Sequence, residues 1–321
     1  MEMIRQELET TYDQVKSLAG WSVDKNVVLT ITSFYVTAGR EFSAVDFNRA
    51  MGALKARSGW FSPLRGNLLP MMAAFLTQSA PMIEEEADRL MEKQRVLKQA
   101  GFRNTIHSYL AALLMDNERS LFEEEANRAK KLYDAMKKKH FFLTSDDDYA
   151  YAMLLGKNKE DPEAHAEAMR TYYNALRNNG FKMGNELQWM SQVMTYMDIE
   201  FEPWRVERAA ELFGMFQQNL KAKPVHYPMI GFLAVFGISD EKIKDIIILA
   251  KQLEQSKCFK WNREMALSVA IGYIAYQSTE SPEQMSVSLA ASIEMILQAQ
   301  QAVMAATVAA VVASSATNSS N

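Results

Sequence analysis

The chain has 321 residues, of which 48% are hydrophobic and 23% are charged. These proportions are typical of a soluble globular protein, and they exclude a collagen, a disulfide-stabilised mini-protein and a wholly disordered chain. The formal net charge is −4, so the chain as a whole has no basic field that would hold nucleic acid or anionic lipid. We therefore expect no nucleic-acid partner.

The cysteine content and the N-terminal segment bear on location. A single cysteine, Cys258, excludes an internal disulfide and a cysteine-rich zinc site. The first ten residues, MEMIRQELET, are polar and lack the apolar region of a secretory signal. Together these features predict a cytoplasmic location.

The first predicted element is an amphipathic helix over residues 1–20, because Ile4, Leu8, Val15 and Leu18 recur at helical spacing. The next segment, NVVLTITSFYVTAG (Asn26 to Gly39), is rich in β-branched residues and locally resembles a buried strand. We predict a helix there, because the repeat described next requires one.

An internal repeat organises the rest of the chain. The segment Glu84 to Ala87 recurs at Glu123 to Ala126, an offset of 39 residues. Helix-start signals follow at steps of 37 to 42 residues, at Ser43, Ala80, Ser120, Asp161, Glu202, Ser239 and Ser281. A second series of candidate N-caps lies between them, at Asn67, Asn104, Ser145, Asn185, His226 and Asn262.

The turns between successive units also resemble one another. Each combines a polar or basic turn with an aromatic residue, as in VLKQAGF, AMKKKHF, ALRNNGF and LEQSKCF, which end at Phe102, Phe141, Phe181 and Phe259. In these turns Gly101 and Gly180 occupy the position of a left-handed helix C-cap.

The repeating unit is therefore predicted to be a helical hairpin whose apolar face must pack against its neighbours. The predicted fold class is all-α: a right-handed α–α superhelix, or solenoid, of about seven hairpins with a period near 40 residues. We expect one domain over residues 1–300, with the N-terminal helix followed by the repeats at 22–300.

Charges follow the helix direction. Acidic residues concentrate where the second helix of a hairpin starts, as at Glu84 to Glu86 and Glu123 to Glu125. Basic residues concentrate near its end, as at Lys93, Arg95, Lys98 and Lys137 to Lys139. The helix macrodipole favours both placements, so these charge runs have a structural explanation.

Residues 301–321 form an Ala/Val/Ser-rich tail, and no charged residue occurs after Glu294. The apolar run at 302–313 is shorter than the roughly 20 residues of a membrane-spanning helix. Three interpretations stay open: a C-terminal helix that caps the stack or pairs with another chain, a disordered end, and a membrane span.

Signatures of catalysis or metal binding are absent from the sequence: there is no phosphate-binding loop, dinucleotide fingerprint, H-E-x-x-H or G-x-S-x-G motif. The histidines His107, His140, His165 and His226 are too far apart in sequence for helical metal-ligand spacing. We expect neither metal nor cofactor, and we expect Cys258 to be a buried small residue.

The densest acidic cluster outside the helix starts named above is Asp146, Asp147 and Asp148. At the first turn of a helix these carboxylates would stabilise the helix dipole. In a closed ring of hairpins, the same position suits general acid and base carboxylates, and Asp198 could face the same rim. The four aspartates are therefore the candidate catalytic residues of an alternative enzyme interpretation.

The segments LKQAGFRN and ALRNNGFKM, with the Ala/Val/Ser tail, resemble an uncharacterised all-helical bacterial family of unknown function, found mainly in Bacillus-type bacteria. The resemblance implies an all-α fold and a bacterial cytoplasmic setting, and it transfers no catalytic residue. The hairpins are also generically similar to tetratricopeptide-like and HEAT-like repeats, without the tetratricopeptide signature or its 34-residue period.

The main functional expectation is a non-enzymatic helical-repeat scaffold whose concave face, lined by one set of helices, binds a protein or peptide partner. The first alternative is an α/α-toroid-like hydrolase or lyase that uses Asp146, Asp147, Asp148 and Asp198. The second is a membrane-associated adaptor that uses the tail.

Overall fold

The structure is a computed structural model that describes residues 2–277 except 21–22, 67–68, 80, 141 and 261. In this part of the chain the fold is all-α, with 14 α-helices and no strand. The helices are α1 (Glu2–Ala19), α2 (Lys25–Thr37), α3 (Ala44–Arg57), α4 (Leu69–Leu76), α5 (Ile83–Gln99), α6 (Ile106–Leu114), α7 (Phe122–Lys139), α8 (Tyr149–Leu155), α9 (Pro162–Asn178), α10 (Asn185–Val193), α11 (Pro203–Leu220), α12 (Tyr227–Val235), α13 (Asp240–Leu253) and α14 (Glu264–Gln277).

After α1 the helices alternate between two kinds. We call the even-numbered helices α2 to α14 the A helices and the odd-numbered helices α3 to α13 the B helices. Every residue of α4, α8 and α12 is buried. A B helix buries only one face, as α5 does with Ile83, Ala87, Leu90 and Leu97. The A helices therefore supply the core, and the B helices cover it.

Helices of the same kind pack together in neighbouring hairpins. Among the B helices, α3 contacts α5 and α7 contacts α9; among the A helices, α6 contacts α8 and α10 contacts α12. The predicted aromatic anchors lie at these joints. Phe102 and Phe181 are each 3% exposed, and Phe259 is fully buried. Gly101 and Gly180 have φ of 101° and 90°, which confirms the predicted left-handed helix ends. Phe141 lies outside the described residues.

Helix α2 confirms the helix predicted for the β-branched segment. Asp24 caps it by accepting a hydrogen bond from the backbone N–H of Asn26 at 2.7 Å. The hydroxyls of Thr32 and Thr37 each donate to the carbonyl oxygen four residues earlier, at 2.8 Å. Burial of nearly the whole helix outweighs the low helix propensity of its residues.

The first series of predicted helix starts is only partly correct. Ser43, Asp161 and Ser239 are N-caps whose side chains accept backbone N–H hydrogen bonds. Glu202 occupies an N-cap position without such a bond. The prediction at Ser120 is wrong: its hydroxyl bonds to Glu118 inside the 3₁₀ turn Arg119–Leu121, and α7 begins at Phe122. Ala80 and Ser281 lie outside the described residues.

The second series is shifted by a residue in several places. The prediction at Ser145 is confirmed: Ser145 is the N-cap of the 3₁₀ turn before α8, and its backbone N–H donates to Asp148 Oδ2 at 2.9 Å. His226 Nδ1 accepts from the backbone N–H of Lys223, also at 2.9 Å. The N-caps of α6 and α10 are Thr105 and Gly184 rather than Asn104 and Asn185, and α14 begins two residues after Asn262. Asn67 lies outside the described residues.

The two ends of the described array touch each other, and we call this junction the terminal contact. Helix α2 packs against α14, and α1 packs against α2, α3 and the turn Lys257–Phe259. Ser256 Oγ donates to Glu9 Oε1 at 2.8 Å, and Lys257 Nζ lies 3.1 Å from Asp13 Oδ2. A further hydrogen bond joins Asn262 to Asn26.

The Ala/Val/Ser-rich tail at 301–321 and the segment before it from residue 278 lie outside the described residues. Among the helices that are described, none combines the length and the apolar character needed to cross a bilayer.

Candidate functional site

The acidic triplet forms a 3₁₀ turn, Asp146–Asp148, directly before α8. Asp146 Oδ1 lies 2.6 Å from the guanidinium of Arg103, and Asp147 Oδ1 lies 3.2 Å from Nε2 of His107. Arg103 and His107 belong to the preceding hairpin. The first two carboxylates therefore tie the start of α8 to the start of α6.

Asp148 is completely buried. Its Oδ1 accepts hydrogen bonds from Gln188 Nε2 at 3.0 Å and Gln192 Nε2 at 2.7 Å, and its Oδ2 accepts from the backbone N–H of Ser145. Burial raises the pKa of Asp148 to about 6, although the three hydrogen bonds act in the opposite direction. The third carboxylate thus ties α8 to α10, in the next hairpin.

Three buried polar atoms next to this carboxylate lack a hydrogen-bond partner: Tyr151 Oη, Gln188 Oε1 and Gln192 Oε1. Burial also raises the pKa of Tyr151 well above its usual range, so its hydroxyl stays protonated. Unpaired buried polar atoms each cost stability. The polar cluster between α8 and α10 is therefore buried in the core with incomplete hydrogen bonding.

Asp198 has partners on other elements. Its Oδ2 lies 2.8 Å from Nη2 of Arg205, and its Oδ1 accepts from the backbone N–H of Glu200 at 3.1 Å. Arg205 also donates to the hydroxyl of Tyr172 at 3.3 Å. The structure thus brings together the three aspartates of the triplet, whereas Asp198 belongs to a network of α9 and α11.

His107, His165, His226 and Cys258 are buried, and His140 is half-buried. His165 Nε2 lies 3.0 Å from Thr195 Oγ1, and burial lowers the pKa of His165 to about 4. Burial likewise lowers the pKa of His107, His140 and His226. Cys258 is 7% exposed and burial raises its pKa to about 11, which disfavours the thiolate. Within the described residues, no group of three or more His, Cys, Asp or Glu side chains could hold a metal ion.

The burial of the A helices restricts where a macromolecule can bind. Since every residue of α4, α8 and α12 is buried, these helices cannot line an open concave surface. The B helices and the two ends of the array remain accessible. A partner is therefore expected to bind one of these surfaces rather than a concave face lined by α4, α8 and α12.

The two ends of the array differ in charge. Because each A helix returns the chain, all B helices run in the same direction. We call the first turns of the B helices the acidic end; they carry Glu84 to Glu86, Glu123 to Glu125, Asp161, Glu163, Asp240 and Glu241. We call their last turns and the turns that follow the basic end; they carry Lys55, Arg57, Lys98, Arg103, Lys137 to Lys139, Arg177, Lys182, Lys221 and Lys223. The two ends meet where α7 packs against α9, because Lys138 Nζ lies 2.6 Å from Glu163 Oε1.

Two ion pairs join successive turns of the basic end. Arg103, in the turn before α6, pairs with Asp146 in the turn before α8. Lys223, in the turn before α12, pairs with Glu264 at the start of α14 at 2.8 Å. Each ion pair therefore links two neighbouring hairpins.

Exposed aromatic residues lie in two turns of this basic end, and one of them, Phe142 after α7, is 97% exposed. Trp60 and Phe61, in the turn between α3 and α4, are 78% and 96% exposed. The guanidinium of Arg65 lies 5.9 Å from the ring centre of Trp60 and donates to Ser58 Oγ at 3.2 Å. The turn is therefore fixed to the end of α3 while its two aromatic rings face water. These residues are not among the candidates predicted from the sequence, although the two adjacent aromatic residues in SGWFSPLRG are a signal that could have identified them.

The family model described as "Protein of unknown function (DUF4003)" matches residues 11–302. The chain belongs to this family. It is similar to the "Uncharacterized protein YeaA" of Bacillus subtilis (strain 168), with 27% identity over 316 residues, covering 97% of this chain and 95% of that protein. The resemblance to a bacterial family of unknown function is thereby confirmed. No solved structure matches the chain.

Proposed function

We propose that the chain is a non-enzymatic helical-repeat scaffold that binds a protein or peptide partner at its basic end. The observation that carries the proposal is the pair of exposed aromatic side chains, Trp60 and Phe61, held in a fixed turn. Tryptophan and other aromatic residues supply most of the binding energy at protein interfaces. In a monomer without a partner, two aromatic side chains exposed to water contribute no stability.

The charge of this end selects the partner. An acidic segment with an apolar or aromatic side chain complements the cations around Trp60, and opposite charge speeds association and sets orientation. Several cations of this end already have carboxylate partners: Arg57 pairs with Asp88, Lys138 with Glu163 and Lys139 with Glu167. This internal pairing favours a peptide over nucleic acid, which needs many cations for its phosphates.

The architecture of the scaffold belongs to the same proposal. We infer a right-handed superhelix of about seven hairpins whose first and last units meet at the terminal contact. The alternation of A and B helices supports the hairpin repeat, and the packing of α2 on α14 supports the contact between its first and last units. The buried thiol of Cys258 fits a cytoplasmic location.

The hydrolase or lyase alternative has less support. Asp146, Asp147 and Asp148 all engage neighbouring hairpins, and Asp198 engages Arg205. A carboxylate committed to such contacts has to break them before it can act on a substrate. The membrane-adaptor alternative depends on the tail, which lies outside the described residues.

The test is affinity capture from a native lysate with the full-length chain, followed by titration calorimetry with the purified partner. The double variant Trp60→Ala/Phe61→Ala should weaken binding at least about 30-fold, as loss of roughly 2 kcal/mol at a hot spot implies. Trp204→Ala is the matched control, because Trp204 is 47% exposed at the acidic end. Equal retention of the partner by the double variant and the wild type would refute the proposed surface.

A further inference from the structure

Lys93 is the one lysine that is buried among the residues that the structure describes, with 4% of its surface exposed. It lies in the middle of α5, three residues after Leu90 and four before Leu97, on the face that packs into the core. The charge pattern placed Lys93 among the basic residues near the helix end, whereas it lies in the middle of α5 and is buried. Lysine is almost never buried without a charged partner.

The partners of its amino group are neutral. Lys93 Nζ donates to the backbone carbonyl oxygen of Met115 at 2.9 Å and to Asn117 Oδ1 at 2.8 Å. The nearby carboxylates have other partners, because Glu86 pairs with Arg89 and Glu125 accepts from the backbone N–H of Asp116. A third contact is the ring of Phe122, whose centre lies 5.5 Å from Nζ. On deprotonation the two remaining N–H bonds still match the two acceptors, and the lone pair becomes free.

Burial has the expected effect on this group: it lowers the pKa of Lys93 to about 8, against the opposing influence of Glu86. At pH 7.5 the neutral fraction is then roughly 10²-fold larger than for an ordinary lysine. A neutral amine is a nucleophile, whereas an ammonium group is not.

The amino group borders a cavity of about 180 Å³ between α5 and the end of α6. The exposed part of its lining is more polar than apolar: Gln78, Glu86 and Asn117 supply polar groups, and Phe75, Leu90 and Leu113 supply the apolar part. The space is partly open to solvent, and its volume exceeds the roughly 150 Å³ that holds a molecule the size of benzene. It therefore suits a small ligand that carries a polar group.

We propose that Lys93 forms an imine with a small, uncharged aldehyde or ketone bound in this cavity. The Nζ lone pair attacks the carbonyl carbon and a C–N bond forms. The carbonyl oxygen takes up the two protons that leave Nζ, and it departs as water when the C–O bond breaks. No atom is oxidised or reduced overall. Solvent water can carry a proton from nitrogen to oxygen.

The proposal differs from a purely structural role in which Lys93 only anchors the turn after α6. A structural tether is compatible with slow or absent reaction of the amine. A reactive amine must combine with a carbonyl compound that fits the cavity, and it must do so faster than exposed lysines do.

The experiment treats the full-length protein with propionaldehyde and cyanoborohydride at pH 7.5 and maps the alkylated lysines by mass spectrometry. Lys98, exposed on the same helix, is the internal control. We expect Lys93 to react at least about five-fold faster than Lys98, with a rate that rises through pH 8. Labelling of Lys93 more slowly than Lys98 would overturn the proposal.

Two further arms separate fit and the charge state of the amine from general reactivity. Pyridoxal phosphate is too large and too charged for the cavity, so it should label Lys98 but not Lys93. Glu86→Gln removes a charge that raises the pKa of Lys93, so it should speed labelling of Lys93 and leave Lys98 unchanged. Preferential labelling of Lys93 by both aldehydes would contradict the assignment of this cavity.

Discussion

Tyr149 and Tyr227 perform the same task two hairpins apart. The hydroxyl of Tyr149 accepts a hydrogen bond from the backbone N–H of Arg103 at 3.3 Å, and that of Tyr227 accepts one from Lys182 at 3.2 Å. Each ring also packs edge-on against the aromatic anchor before that N–H, at 4.7 Å from Phe102 and 4.9 Å from Phe181. The repeat is therefore expressed in side-chain contacts as well as in helix lengths.

The aromatic anchors should be essential for stability. Phe102→Ala and Phe181→Ala should each lower the free energy of unfolding by about 3 to 5 kcal/mol, because each leaves a cavity where two hairpins join. Phe61→Ala is the matched control: at 96% exposure it should change stability by less than about 0.5 kcal/mol. Urea unfolding measures all three, and a similar small effect for all would contradict the assigned anchors.

Two tyrosine hydroxyls should have opposite effects on stability. Tyr172 Oη contacts the carbonyl of Glu200, the N–H of Glu202 and the guanidinium of Arg205. Tyr172→Phe should therefore cost about 1 to 3 kcal/mol.

The control for that change is Tyr151→Phe. Tyr151 Oη is buried without a hydrogen-bond partner, so its removal should be neutral or stabilising. Thermal melts of both variants at one pH test the pair, and an equal loss in both would contradict the assigned network.

The buried carboxyl of Asp148 should make stability depend on pH. Burial raises its pKa to about 6 in the folded protein, from 3.8. The folded state therefore holds this proton more tightly, so the contribution of Asp148 is greatest below pH 4 and is lost as the pH rises through 6.

Asp148→Asn removes this titration. The free energy of unfolding of the wild type minus that of Asp148→Asn should fall by roughly 2 to 3 kcal/mol between pH 4 and pH 7.5. Urea titrations of both proteins at the two pH values measure it. A difference that stays constant would show that the pKa of Asp148 is the same in the folded and the unfolded state.

The terminal contact should couple α1 to α14. Leu8 is fully buried in α1, and Leu8→Ala should cost about 2 to 5 kcal/mol. Native-state hydrogen exchange should show weaker protection of α14 as well as of α1 and α2.

Leu176→Ala is the control, since Leu176 is equally buried but lies in α9, far along the chain. In conditions below global unfolding it should weaken protection around α9 and leave α14 protected. Loss of protection confined to α1 in Leu8→Ala would show that the two ends are not coupled.

Local patterns in the sequence predicted the local features. The spacing of helix starts identified α2 as a helix despite Val27, Val28 and Ile31, and the glycine at 101 marked a helix end. The prediction failed at Ser120, because its hydroxyl bonds to Glu118 instead of capping the helix that follows. Propensity and capping are properties of a few neighbouring residues, so the sequence carries them directly.

Long-range features left weaker traces. Nothing in the surroundings of Asn26 points to Asn262, which bonds to it across 236 residues. The burial of Lys93 did leave a trace, because it occupies the apolar stripe of α5 between Leu90 and Leu97. The glutamines that hold Asp148 lie about 40 residues from it, and glutamine alone signals no site.

The terminal contact has a consequence for synthesis of the chain. Helix α2 is synthesised before the segment from residue 38 to residue 263, and translation of that segment takes roughly 10 to 45 s. Throughout that time the side of α2 that meets α14 faces water or a chaperone. An open repeat protein can complete each unit as it emerges, whereas this chain can only finish its first hairpin after its last described helix has been translated.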